Sequence, residues 1–481
     1  MNTDILNLEP RSIWQHFSEI NAIPRASKKE ARIIAFMVDF GKRLNLETIT
    51  DQIGNVVIKK PATKGFENRK TVVLQSHLDM VHQKNNSIDF DFETQGIEMY
   101  IDNDWVKANG TTLGADNGLG VATMMAILSS NDLEHPKLEC LFTIDEETGM
   151  TGAIELDNST LSGDILLNLD TEEDDEIGIG CAGGIDITGQ KKCQFIQNKH
   201  TNSFQLEVKG LQGGHSGMDI HKKLGNANKI ANEIILKAGN FIAITSIDGG
   251  GLRNAIPRES IIKFNTSTPE LVEKIIHTKS DEIKTLFKEI EPQLEVQLTP
   301  IPMLEKHLAY PDQEAILFTI HEIIDGVFKM STDIADLVET SNNLARVQLV
   351  DENCEIQCLT RSSNEGGKNE LTNNITNTFD KGGFTTSLSG DYPGWQPNPN
   401  SEILKIASKT YQNIFNKKAN HLACHAGLEC GIIGAHYPNL DMISIGPTIK
   451  GAHSPDERVN IPSVNKFWRF ITSLLKEIPK L

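Results

Sequence analysis

The chain has no basic start leading into an apolar run. Residues 1–20 carry Asp4, Glu9 and Glu19 among scattered apolar side chains, a pattern that reads as having neither a signal peptide nor a membrane anchor. Positive charge is also scarce. The 65 acidic residues outnumber the 46 basic ones, giving a formal net charge of −19, so nucleic acid and anionic membrane surfaces are excluded as expected partners by repulsion. Nor does a Cys-x-x-Cys pair occur among the seven cysteines. An odd number without paired spacing argues against a disulfide framework, a zinc knuckle or a redox motif, and implies reduced, cytoplasmic cysteines packed as small hydrophobes.

What is present is a long globular chain with chemistry in separated pieces. At 481 residues it exceeds one ordinary core, and about two or three compact units are expected. Apolar runs at 71–75, 138–144 and 165–169 read as buried strands, and 119–129 as a helix. Their alternation implies an α/β domain with helices on both faces of a mixed sheet. Composition changes after Gly178-Ile179-Gly180-Cys181-Ala182-Gly183-Gly184. A strand at 204–208, helices at 226–238 and 271–290 and intervening strands follow. A similar order is expected to recur with 294–298, a helix around 315–328, paired strands 346–350 and 355–359, and a helix near 371–378, suggesting a duplicated α/β unit. The last part offers a helix at 402–415 and a strand at 440–445. The expected boundaries are residues 1–186 and 393–481 for a discontinuous catalytic domain, with 187–392 an inserted α/β lid.

Three short segments place metal-ligand side chains beside glycines and strand residues: Ser76-His77-Leu78-Asp79, Gly114-Ala115-Asp116-Asn117-Gly118 and Asp145-Glu146-Glu147-Thr148-Gly149. Together with Asp170 and His453 they supply the nitrogen and oxygen ligands of a two-zinc hydrolytic site. Charge supports the set: two divalent cations are nearly balanced by Asp116, Glu147, Asp170 and one hydroxide, so the centre can be buried. A zinc pair roughly 3.5–4 Å apart needs a spanning ligand, a role that suits Asp116 at its tight Gly-flanked turn. Asp79, two residues from His77 on a strand end, points the same way and would fix the imidazole tautomer. One of Glu146 and Glu147 would bind metal while the other faces the attacking water; their chemistry alone leaves open which does which. The bland alternatives are a helix cap for Asp116, a solvated acidic loop for 145–147, and a plain turn for Gly451-Ala452-His453-Ser454-Pro455. The acidic run 172–176 reads as a solvated loop. In the lid, His215 within Gly213-Gly214-His215-Ser216-Gly217 could donate to a developing oxyanion. Asn254 and Arg361 could grip a substrate's backbone and carboxylate.

In that order, these segments resemble the di-zinc metallopeptidases that include aminoacylase, carboxypeptidase G and carnosinase, and within them the branch that cleaves aminoacyl-histidine dipeptides. The resemblance runs from about residue 11 to 461 and takes in Cys424-His425-Ala426-Gly427-Leu428-Glu429-Cys430-Gly431. It implies that His77 and Asp170 bind one zinc, Glu147 and His453 the other, and that Asp116 bridges. It makes Glu146 the general base, Asp79 the orienting residue, His215 the oxyanion donor and Glu429 the anchor for a substrate's free amino group. It further implies Xaa-His dipeptides as substrates, beta-alanyl-histidine among them, and a homodimer. Co2+ or Mn2+ are alternatives to Zn2+. An aminotripeptidase or an N-acyl amino acid hydrolase would share the metal centre, and a non-catalytic zinc-binding scaffold is the reading from outside enzymes.

Overall fold

The computed structural model describes residues 4–332, 334 and 336–481. Two compact units divide the chain. One takes in the chain up to Gly180 with Trp395–Ala423 and Leu428–Leu481; the other comprises Cys181–Gly394 and Cys424–Gly427.

The first unit is built on an eight-stranded mixed sheet. Its centre is the strand Val72–His77, parallel to Leu138–Thr143 on one side and to Ile165–Asn168 on the other. All residues of these strands are buried, which is why they read as continuous apolar runs rather than alternating ones. Asp441–Ser444 continues the parallel set beside Ile165–Asn168, so the C-terminal segment returns to the first sheet. Helix Ala115–Ser129 packs on Val72–His77 and is buried on nearly every side, as its uniformly apolar sequence requires. Helix Glu402–Phe415 packs on Asp441–Ser444. Its N-cap Ser401 accepts from the Leu404 amide, and Asp441 accepts from the Ser401 hydroxyl and the Ile403 amide, so cap and strand are tied together.

The second unit is a nine-stranded sheet with helices Ala227–Ala238, Pro269–Leu286, Tyr310–Glu322 and Glu365–Lys381. Its core gathers Leu206, Val208, Ile230, Ile234, Phe264, Ile356 and Phe379, all buried. The strand order shows the expected duplication with a different starting point. One repeat runs Asn202–Lys209, helix, Ala243–Gly250, Ser260–Thr266, helix, Glu295–Ile301. The other takes its first strand from Gly183–Lys192, then helix Tyr310–Glu322, strands Val338–Val350 and Asn353–Ser362, helix Glu365–Lys381 and strand Thr385–Tyr392. The two sets are mirrored across the sheet, meeting where Ala243–Gly250 pairs with Val338–Val350. Residues 294–298, expected to open the second repeat, therefore close the first. The same pairing corrects the boundary expected at 186: Gly183–Lys192 hydrogen-bonds along Asn353–Ser362 and belongs with the second sheet. The expected helix at 315–328 also runs too far. It stops at Glu322, where the next residue, Ile323, leaves helical geometry with ψ 123°, and the strand Gly326–Met330 follows.

Candidate active site

Three adjacent parallel strands deliver the first ligands, and parallel strands share a carboxyl end. His77 is the last residue of its strand, Asp145, Glu146 and Glu147 follow Leu138–Thr143, and Asp170 follows Ile165–Asn168. Asp116 sits at the entrance of helix Ala115–Ser129, where its own dihedrals and those of Asn117 are not helical. His453 lies beyond the short strand Ile449–Lys450 in a left-handed conformation, φ +64°. That backbone is costly for a non-glycine residue and persists where its surroundings impose it.

The side chains converge. His77 Nε2 lies 3.2 Å from Asp116 Oδ1 and 3.6 Å from Asp170 Oδ1. His453 Nε2 lies 3.2 Å from Asp116 Oδ2 and 2.9 Å from Glu147 Oε2. Each oxygen of the Asp116 carboxylate thus faces a different imidazole. The donor atoms of His77, Asp116 and Asp170 fall within 4.8 Å of one another, as do those of Asp116, Glu147 and His453, and those of His77, Glu146 and Glu147. Two of these three-residue donor sets share Asp116, and each set could hold a metal ion.

Electrostatics point the same way. Burial raises the pKa values of Glu146, Glu147 and Asp170, with repulsion among neighbouring carboxylates adding to it. Glu172 is lifted to about 8 by desolvation and by Asp116 and Asp170, while its side chain stays exposed to solvent, as expected of a solvated loop. Burial opposes a charged His77, yet Asp170 and Asp116 outweigh it and hold the imidazole pKa well above its usual value. His453 is raised to about 11 by hydrogen bonding to Asp116 and Glu147. So much buried negative charge calls for cations. Glu147 Oε1 is buried without a hydrogen-bond partner among the described residues, so the donor chemistry fits divalent metal ions.

The surrounding shell fixes orientation. His77 Nδ1 lies 3.2 Å from the Asp79 carbonyl oxygen and 3.3 Å from Asp79 Oδ1, which places the proton on Nδ1 and leaves the Nε2 lone pair for a metal. The Asp79 carboxylate also accepts from the Ser27 hydroxyl and from the amides of Glu146 and Glu147, so one carboxylate orients the imidazole and holds the acidic loop. Asn117 Nδ2 donates to Asp170 Oδ1. Another close acidic group, Glu30, Asp79 and Asp145, has its oxygens engaged by amides and hydroxyls and is a hydrogen-bonded cluster.

Glu429, expected to anchor a substrate's amino group, also lies in the first unit. Its side chain is 1% exposed, and Oε2 accepts from Gln75 Nε2 at 2.6 Å and Thr143 Oγ1 at 2.7 Å. Burial raises its pKa to about 8. Its other oxygen, Oε1, is buried without a hydrogen-bond partner among the described residues, and its charge adds to the raised pKa of Glu146, so Glu429 borders the cluster of ligand candidates.

In the second unit, His215 Nδ1 accepts from the amides of Gly217 and Met218 at 3.1 and 3.0 Å. An accepting Nδ1 puts the proton on Nε2, and burial together with Arg361 lowers the pKa, favouring the neutral ring. His215 is therefore an Nε2–H donor. Ser216 ties the neighbouring residues to it: its amide donates to the Asn254 carbonyl, and its hydroxyl accepts from Arg361 Nε. Arg361 Nη1 donates to the Tyr392 hydroxyl at 3.0 Å. Asn254 has an exposed side chain and Arg361 a buried one.

The model of peptidase family M20/M25/M40 matches residues 73–477. The chain belongs to that family. It is 41% identical over 99% of its length to the cytosol non-specific dipeptidase of Escherichia coli K12, 99% of which is covered. Among solved structures it resembles the aminoacylhistidine dipeptidase of Vibrio alginolyticus, with a TM-score of 0.93 and 40% identity over 99% of this chain and 98% of that one. Aminopeptidase PepT of Bacillus cereus shares the fold at a TM-score of 0.58 and 15% identity, over 98% and 99% of the two chains. As an M20 peptidase the chain is a metal-dependent peptide hydrolase. No described helix is long and apolar enough to cross a membrane.

Sequence reasoning missed Asn117 as a ligand's partner, the Gln75–Thr143–Glu429 network, and two buried ions, Arg25 and Glu457, that grip the Asp116 loop. Nothing in local pattern marks these residues, since each contacts a segment at least 53 positions away.

Proposed function

We propose that this metallopeptidase hydrolyses dipeptides, with Xaa-His peptides including beta-alanyl-histidine among its substrates, and that it works with two zinc ions. The observation that carries the reading is the Asp116 carboxylate, one oxygen 3.2 Å from His77 Nε2 and the other 3.2 Å from His453 Nε2. His77 and Asp170 would hold one ion, Glu147 and His453 the other, and Asp116 would bridge. Bound there, the ions supply a nucleophilic water with a pKa lowered to about 7 and polarise the scissile carbonyl.

The chain's own residues do the rest. Glu146, next to the ligand Glu147 but bound through neither Asp116 nor His453, takes the proton of the attacking water on its carboxylate and delivers it to the leaving nitrogen. Asp79 keeps the proton of His77 on Nδ1. The His215 Nε2–H donates to the oxyanion, and its tautomer is already set by the two amides on Nδ1. Arg361 offers its guanidinium to the C-terminal carboxylate of the peptide, and Asn254 its amide to the peptide backbone. The names of the E. coli and Vibrio relatives support dipeptides as the class and leave open how strictly histidine is required, one being called a non-specific dipeptidase and the other an aminoacylhistidine dipeptidase.

The test combines metal analysis with turnover of alanyl-histidine, beta-alanyl-histidine, histidine-free dipeptides, tripeptides and N-acyl amino acids. Two zinc ions per chain and fastest cleavage of dipeptides are expected. Faster cleavage of tripeptides or acyl amino acids, or a single bound ion, would overturn the reading.

A further inference from the structure

The bridging carboxylate is only as well placed as the loop that carries it, and residues 113–116 are held from both sides by buried ions. Glu457 Oε2 accepts from the amides of Leu113 at 2.6 Å and Gly114 at 2.9 Å, while Oε1 accepts from Ala115 at 2.7 Å and Asp116 at 3.2 Å. Four consecutive backbone donors thus converge on one carboxylate that is 2% exposed. On the carbonyl side, Arg25 Nη2 donates to the Gly114 oxygen at 2.6 Å, and Nη1 donates to the carbonyls of Leu78 and Asp79, each at 3.0 Å. Arg25 is 1% exposed and thereby joins the Asp116 loop to the segment that follows His77. Gly114, at φ +68°, admits this approach: a Cβ there would lie 2.5 Å from Arg25 Nη2.

Glu457 also lies four residues after His453, in a tight turn closed by the hydrogen bonds from Ser454 N to Gly451 O and from Glu457 N to Ser454 O. The same turn therefore carries one metal-ligand candidate and the anchor of the bridging one. Buried charges are expensive unless their hydrogen bonds are satisfied. A neutral side chain could cap one or two amides; a carboxylate spanning four fixes the loop's register and orientation as a unit.

We propose that Glu457 and Arg25 are positioning residues for the metal centre. They clamp residues 113–116 so that the two Asp116 oxygens face His77 and His453 at matched distances before any ion arrives. This rests on the dinuclear reading given above. Neither residue touches substrate; their effect passes through Asp116, and through the tie from Arg25 to the Asp79 carbonyl.

The test uses the full chain stripped of metal and titrated with Co2+, whose visible absorption reports ligand geometry, in parallel with zinc competition against a chromophoric chelator. Glu457→Gln keeps the shape but sets an amide donor against two backbone donors. We expect about 10–100-fold weaker metal binding, an altered Co2+ spectrum, and a fall in kcat with KM little changed, partly recovered at excess zinc. Glu457→Asp, which retains the charge on a shorter arm, should fall between Gln and wild type. Arg25→Lys keeps a cation but not the fork, and should weaken binding in the same sense; it decides the matter if Glu457→Gln does not fold. Folded variants with wild-type metal affinity and spectrum, or variants that lose only thermal stability, would overturn the clamp. Wild-type protein that takes up only one ion would instead refute the dinuclear reading, so the two failures are distinguishable.

Discussion

Asp79→Asn is the sharpest test of how the first unit organises its ligands. The wild-type carboxylate receives the Ser27 hydroxyl at 2.7 Å, the Glu147 amide at 3.2 Å, the Glu146 amide at 3.1 Å and His77 Nδ1 at 3.3 Å. Asparagine keeps the shape and one oxygen. Its NH2 is accommodated best at the Oδ2 position, where the Ser27 hydroxyl can rotate and accept but the Glu147 amide loses its partner. An orphaned buried N–H costs about 1–3 kcal/mol, and the remaining bonds weaken as their acceptor loses its charge. The imidazole of His77 also loses the anion that raises its basicity, a change that typically costs about 10–100-fold in metal affinity or activity. The expected result is zinc affinity and kcat/KM lowered by that factor, with a modest loss of stability in urea unfolding. Chelator competition and steady-state kinetics at limiting and saturating zinc measure it. A variant with wild-type zinc affinity and kcat/KM would refute the reasoning.

Other substitutions separate the remaining roles. Glu146→Gln should keep metal content by elemental analysis and lower kcat by about 10²–10⁴-fold, the usual share of general acid–base catalysis; full retained turnover would remove Glu146 from that role. His215→Ala should lower kcat by about 10²–10³-fold, as loss of an oxyanion donor does, without changing metal content; an effect on metal binding instead would refute the donor role. His425 is buried with its pKa lowered to about 3 by burial and by Arg361, while in the unfolded chain it is close to 6.5. The unfolded state therefore binds the extra proton between these values, and stability should fall with decreasing pH from about 6.5 toward 3, by up to about 1.4 kcal/mol per pH unit. Denaturant midpoints of wild type and His425→Gln across that range should converge as pH drops; parallel curves would rule out His425 as the source.

The sequence by itself determined the parts whose cause is local. Continuous apolar runs specified the buried parallel strands, because a strand covered on both faces has no polar alternation to show. The helix expected at 402–415 is found at Glu402–Phe415, and the structure adds its Ser401 cap. The candidate ligands stood out because carboxylates and imidazoles at strand ends beside glycines are a chemically unusual combination. Tertiary structure decided the rest. Which strand opens the second repeat depends on pairing between Gly183–Lys192 and Asn353–Ser362, about 170 residues apart by the register of the sheet. That Glu429 is a buried network member follows from Gln75 and Thr143 closing over it, and burial is a property of the packed sheet rather than of the segment that carries the residue. Glu457 and Arg25 have the same character. A carboxylate that gathers four amides from a loop more than 340 positions earlier leaves no periodicity or spacing to read, since its partners are backbone groups that every residue except proline carries.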